Sequence, residues 1–243
     1  MTEKYKDLGN VFNTPVQVKG VSWLPVTQGI VWLLFTRRAR KRSPDTSNGT
    51  AVREGFLHML VMLGSEWGHN LAHVLAAFLV GKPMDGIRIQ LGMPRCHYRE
   101  LNPVDVTPEQ HLIRAAGGPV ASAGLLGLFC QMRRILPQGT AIYRAAGTAV
   151  YTNLFLSSVS LLPIPGIDGG PILKWGLVKA GSSAAEADRI VQKVNGPLAA
   201  LLVLISAFFL KRKRYLVGVF SGMLSLTSLL VYSGLIKEEE LKI

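Results

Sequence analysis

Six apolar runs separated by short polar or basic segments organise the 243-residue chain. The first, GVSWLPVTQGIVWLLFT at 20–36, is interrupted by Pro25, Thr27 and Gln28, so it reads either as a span or as a segment lying partly in the interface. Residues 43–55, rich in Pro, Ser and Gly, read as a flexible loop. The second run, GFLHMLVMLGSEWGHNLAHVLAAFLV at 55–80, is long enough to cross about 30 Å of hydrocarbon. Residues 82–110 are mixed, and GIRIQL at 86–91 alternates like a strand, one arm of a short β-hairpin. The third run, LIRAAGGPVASAGLLGLFC at 112–130, has the small-residue composition that lets membrane helices approach closely. The fourth, GTAVYTNLFLSSVSLLP at 147–163, runs into the broken turn IPGIDGGPIL, and 174–194 reads as a polar helix outside the membrane. The fifth and sixth occupy 195–210 and 215–235. The pattern predicts an all-α polytopic membrane protein of about six transmembrane helices.

Composition supports a lipid environment. Hydrophobic residues make up 49% and charged residues 17%, against about 25% charged in soluble domains. The net charge of +12 raises the question of nucleic acid. The cations instead fall in clusters between apolar runs, RRARKR at 37–42, RR at 133–134 and KRKR at 211–214, as membrane loops require. A nucleic-acid partner is therefore not expected, and the lipid bilayer is. In a six-crossing topology the two sides carry thirteen Lys and Arg each, so charge leaves orientation open. Cys96 and Cys130 cannot build a disulfide framework, and Cys130 reads as a small core residue. Residues 1–15 lack the basic and apolar regions of a signal peptide.

The chemistry concentrates at EWGHNLAH, residues 66–73, where polar side chains at membrane depth mark function. On a helix His73 lies about 40° from His69, one turn on, so both imidazoles face one way. They can hold one zinc ion through neutral nitrogens, leaving a third ligand and an open position to be found. Asp168, at the broken end of the fourth run, is the acidic candidate. Two histidines that merely hydrogen-bond within a bundle fit the same spacing.

At this level of detail the chain resembles the site-2 proteases, intramembrane zinc metalloproteases. GHNLAHVLAAFLVG resembles their H-E-x-x-H helix, AAGGPVASAGLL at 115–126 their Gly-Pro helix, and LLPIPGIDGGPIL at 161–173 their Pro-rich D-G turn. The resemblance covers about residues 55–175. It implies a three-helix core with zinc held by His69, His73 and Asp168, and a transmembrane peptide or single-span membrane protein as partner. It divides the chain into an N-terminal segment with the first apolar helix and basic loop (1–54), the zinc core (55–175), and a polar helix with two C-terminal membrane helices (176–243).

Two positions depart from the family. Its glutamate, the general base, is Asn70 here. An amide has no basic site near neutral pH, so Asn70 can orient water but not take its proton. The family's asparagine eight residues before the ligand aspartate, implied to hold the substrate strand, is Ser160, which offers fewer hydrogen bonds. Asn153 survives seven residues earlier, one level deeper along the helix. Glu66 lies about 60° round the helix and ~4.5 Å from His69 along its axis. It is a candidate replacement base, a ligand, a partner for a histidine N–H, or a carboxylate with no part in the site. His58 reads as an interfacial or cavity histidine, and His97 and His111 as surface residues.

Three functions follow. The first is a zinc-binding homologue, impaired or non-cleaving, that binds membrane peptides or regulates an active relative. The second is an active intramembrane endopeptidase with Glu66 as base. The third is a transporter or channel, for which neither an internal duplication nor paired broken helices are present. The small-residue third run permits self-association.

Overall fold

A computed structural model describes residues 5–100, 103 and 105–236. It divides into two compact units, Met1–Tyr98 with Ala116–Val159, and Arg99–Ala115 with Ser160–Ile243.

The first unit is built on α2 (Asn48–Leu79), a helix about 48 Å long at 1.5 Å per residue. It starts inside the segment expected to be a flexible loop. Ser47 supplies the reason: its Oγ accepts from the Thr50 N–H at 3.2 Å and caps the helix. The preceding helix α1 (Val26–Arg42) begins directly after Pro25. At the turn between them the Arg40 side chain donates to Asn48, and Arg42 reaches Glu54 at 3.3 Å. α4 (Ala141–Ser158), capped by Thr140, packs against α2. Glu54 takes two bonds from Arg144 of α4, each 2.6 Å. Nearby, His58 is buried, bonded through Nδ1 to Thr148 Oγ1 at 2.6 Å and stacked on Phe35.

A four-stranded sheet lies at the other end of α2, in the order β1 (Lys6–Val11), β2 (Thr14–Val18), β3 (Gly86–Gln90), β4 (Met93–His97). The expected hairpin is β3–β4. The β1–β2 hairpin falls in a stretch that showed no strand signal, because its alternation is weak and Gly9 breaks the register. Its turn places Phe12 and Asn13 at positive φ. β2 and β3 pair in parallel through Val16 and Ile87. Val74 and Ala77 of α2 pack with Ile87 and Met84 in a buried cluster that Cys96 joins, and this seats β4 beside α2.

The second unit holds the first turns of α3 (Pro108–Ile135), then α5 (Gly169–Lys179), α6 (Ala184–Lys211) and α7 (Tyr215–Tyr232). Ser183 and Glu186 form a reciprocal capping box at the start of α6. His111, expected at the surface, is buried here and stacks on Trp175 at 3.9 Å with the rings 2° from parallel. His97 is likewise buried, on β4. Both face neighbouring elements that their local sequence does not reveal. Cys130, expected in the core, is exposed on the outward side of α3.

Of the six apolar runs, three lie on helices long and apolar enough to cross a membrane: α3, α6 and α7. Only 17–28% of their most apolar windows is buried by protein, so lipid must cover the rest. α1, α2 and α4 fall short of that measure among the described residues. α1 ends in a run of cations, and α2 carries the polar face that forms the site.

The Glu54–Arg144 pair ties α2 to α4 with two charge-assisted bonds and little solvent, the side chains being 11% and 26% exposed. Arg144→Ala is expected to lower unfolding stability by roughly 1.5–3 kcal/mol, the range for hydrogen bonds to charged groups. Denaturation in detergent measures it.

Candidate metal centre

Ser65, His69 and His73 recur every four residues and so share one buried face of α2. The two Nε2 atoms face each other at 3.2 Å, with the rings 79° apart. Two nitrogens about 2.0–2.1 Å from a tetrahedral zinc would be about 3.3–3.4 Å apart. The pair therefore already has the spacing of two corners of such a site.

What leaves room beside them is Gly118 on α3. A Cβ there would overlap His73 Nε2 and stand 2.6 Å from His69 Nε2. The space a side chain would fill is thus open beside both nitrogens, and neutral imidazoles are suitable donors for zinc. One turn later on α3, Ser122 Oγ lies 3.0 Å from His69 Nδ1, with no solvent exposure. The Gly118 N–H points at His73 Nδ1 from 3.3 Å. Gly117 lets the backbones close, since a Cβ on it would come within 2.7 Å of the Ala72 carbonyl oxygen. Gly118, Ser122 and their pairing with the histidines were not identified from sequence. The clue present was the repeat of small residues at i and i+4 within GGPVAS.

Asn70, at the position of the family base, is engaged away from this space. Its Nδ2 donates to the Glu66 carbonyl at 2.9 Å, one turn back on its own helix. The Cys96 thiol of β4 lies 3.5 Å from both Asn70 Oδ1 and the Asn70 carbonyl. Glu66 is half-buried on α2. Asn153 of α4 is fully buried and spends its amide N–H groups on Ser65 Oγ at 3.0 Å and the Ala149 carbonyl at 2.9 Å. Its Oδ1 is buried without a hydrogen-bond partner. Asn153 thus joins α4 to the histidine face of α2 through Ser65.

Asp168 and Ser160 belong to the second unit. Ser160 sits half-buried in a single 3-10 turn, Val159–Leu161. Asp168 is the residue before α5, and its side chain makes no cap bond to that helix. The chain leading to it is tightly folded. Asn195 of α6 donates to the Pro163 carbonyl at 2.8 Å. Ile167 N–H bonds the Ile164 carbonyl at 3.1 Å. A Cβ on Gly169 would overlap the carbonyls of Leu161 and Leu162, and one on Gly170 would lie 2.6 Å from that of Ile164. Only glycine fits after Asp168, which accounts for the Asp-Gly-Gly sequence.

No protein-family model matches the chain. It is 34% identical over 70 residues to "Putative zinc metalloprotease MJ0611" of Methanocaldococcus jannaschii, a match covering 29% of this chain and 37% of that protein. The aligned part therefore spans little more than a third of that relative's length. Among solved structures it is similar to a site-2 protease from Methanocaldococcus jannaschii, with a TM-score of 0.55 and 14% identity. That similarity covers 94% of this chain and 95% of the other, so the two share a fold.

Proposed function

We propose that this chain is a site-2-protease-like integral membrane protein that holds zinc but lacks the base needed to cleave. The ligands on this reading are His69, His73 and Asp168. The observation that carries it is the pair of Nε2 atoms 3.2 Å apart over the side-chain-free surface of Gly118. Two imidazoles and a carboxylate with a fourth position open is the donor set of catalytic rather than structural zinc. Zinc bound there would polarise a peptide carbonyl and acidify a water molecule.

Cleavage also needs a residue that takes the water's proton and hands it to the leaving amine. Asn70 cannot do so. Its amide is not basic, its nitrogen is committed to the Glu66 carbonyl, and its oxygen faces the Cys96 thiol. The function proposed is recognition of a transmembrane peptide or single-span protein without hydrolysis, with Ser160 and Asn153 as candidate contacts. Glu66 favours a second reading. It is a half-buried carboxylate one turn before His69, and as a relocated base it would make the protein an active endopeptidase.

Metal analysis tests the zinc reading. Protein purified from zinc-replete medium should carry about one zinc per chain, and His69→Ala should lose it. Metal-free wild type, or a His69→Ala variant that keeps its full zinc content, would overturn the assignment.

A further inference from the structure

The turn from α1 to α2 carries cations that the protein does not itself neutralise. Arg37, Arg38, Lys41 and Arg53 are exposed, and among the described residues their side chains make no ion pair or hydrogen bond. Arg37 and Lys41 are four apart on α1, as are Arg38 and Arg42, so like charges stand on adjacent turns, which weakens a helix. The C-terminal end of the α1 macrodipole offsets part of that cost. No such offset serves Arg53 and Arg144, which lie within the first two turns of α2 and α4, where the dipole is positive and neither helix has an acid in its first turn.

Packing brings a second basic stretch to the same end. Arg144 of α4 shares Glu54 with Arg42 of α1. Arg133, near the end of α3, lies over the Tyr143 ring of α4 at 4.5 Å, and Arg134 follows it. Residues 37–54 and 131–146 therefore meet at one end of the first unit, with nine Lys and Arg against Asp45 and Glu54 alone. The helix surface next to this end is apolar. α1 and α2 come together at Thr36 and Gly55, where a Cβ on Gly55 would overlap Thr36. On the far side of that level from Arg37, the exposed side chains are Ile30, Leu33 and Leu34 of α1 and Phe56 and Leu60 of α2. Trp32 stands one turn from the boundary, 37% exposed, with its Nε1–H donated to the Val52 carbonyl at 3.0 Å. An indole where an apolar face gives way to charge is the arrangement found at the membrane–water interface.

From this we propose that the end of the first unit formed by the α1–α2 turn and the start of α4 is a docking surface for the headgroups of anionic phospholipids. The lipid phosphates supply the counter-charge that Arg37, Arg38, Lys41 and Arg53 lack within the protein. The acyl chains of the same lipids cover Ile30, Leu33 and Leu34. A zwitterionic lipid would cover the apolar face and leave the charge standing, and a soluble anion would do the reverse. Only a lipid with a net negative headgroup answers both features. Each Lys or Arg near an anionic membrane surface contributes about 1 kcal/mol, which is roughly fivefold in affinity. The inference is independent of whether the histidine pair holds metal.

Electron spin resonance on the full-length protein in phosphatidylcholine vesicles tests it. Spin-labelled phosphatidylglycerol or phosphatidylcholine is added, and the fraction of label immobilised at the protein surface is read. Phosphatidylglycerol should be enriched over phosphatidylcholine, and the enrichment should shrink at about 1 M salt, where the Debye length is about 3 Å. The variant Arg37→Gln/Arg38→Gln/Lys41→Gln should lose roughly half or more of the enrichment. Its three side chains are exposed and bonded to nothing in the protein, so its melting temperature should match wild type. The control removes three cations from the sheet, as Lys6→Gln/Lys19→Gln/Arg95→Gln, and should keep the enrichment. Equal immobilisation of the two lipids by wild type overturns the proposal, as does an enrichment that salt leaves unchanged. So does full enrichment in the α1 variant, or an equal loss in the sheet variant, which would make net charge rather than this surface the cause.

Discussion

On the non-cleaving reading, Asn70→Glu is expected to confer cleavage of a single-span substrate. The variant places a carboxylate on the helix position following His69, where a group able to accept the proton of an activated water is needed. A positioned general acid or base is worth roughly 10²–10⁴-fold in rate, so a gain of that order over wild type is the expected result. The local structure tolerates the change. The Cys96 thiol, 3.5 Å from Asn70 Oδ1, can donate to a carboxylate as it does to the amide oxygen. The Glu66 carbonyl loses only the bond from Asn70 Nδ2 and keeps its helical role. Cleavage assays in detergent or liposomes, with and without chelator, read the outcome. Chelator-sensitive cleavage by wild type at the rate of the Asn70→Glu variant would overturn the non-cleaving reading. If Glu66→Gln then abolished that activity with zinc retained, Glu66 would be the base.

On the zinc reading, Gly118→Ala should abolish metal binding. The added methyl would fall on His73 Nε2 and within 2.6 Å of His69 Nε2, so both rings must turn away or α3 must withdraw. Neither leaves the nitrogens 3.2 Å apart. A loss of zinc affinity beyond 100-fold is expected, because both histidine rings are displaced, where loss of a single outer partner already costs about 10–100-fold. Some destabilisation accompanies it, since overpacking a buried contact typically costs about 1–3 kcal/mol. Gly124→Ala on the same helix is the control. Its Cβ meets nothing within 4 Å, and its zinc content should match wild type. Equal zinc affinity in Gly118→Ala and Gly124→Ala would mean that the metal does not sit beside Gly118.

The ease of reading the chain differed from element to element. The apolar runs marked α2, α3, α6 and α7, because a helix in lipid must be apolar over a length that composition reveals. Their ends were less clear. α2 begins seven residues before the run does, on a Ser47 cap in polar sequence. The β1–β2 hairpin was missed because its pairing is irregular and half its positions face outward. His97 and His111 were misplaced for one reason: whether a polar side chain is buried depends on the element packed over it. For His111 that element is α5, more than fifty residues on, bringing Trp175.

The chain order alone determined that His69 and His73 share a face, since 3.6 residues per turn leave no other choice. It also determined that residue 70 has no basic group, because that is a property of the side chain itself. It marked a turn at Asp168, where two glycines and flanking prolines exclude a continuous helix. Tertiary structure decided which part of α3 meets the histidines. That register follows from close approach at Gly117 and Gly118 to Ala72 and His73, a fit of surfaces that periodicity within one helix does not encode. It also decided where the Asn70 amide points, because Cys96 arrives on a strand whose position depends on the packing of the sheet against α2.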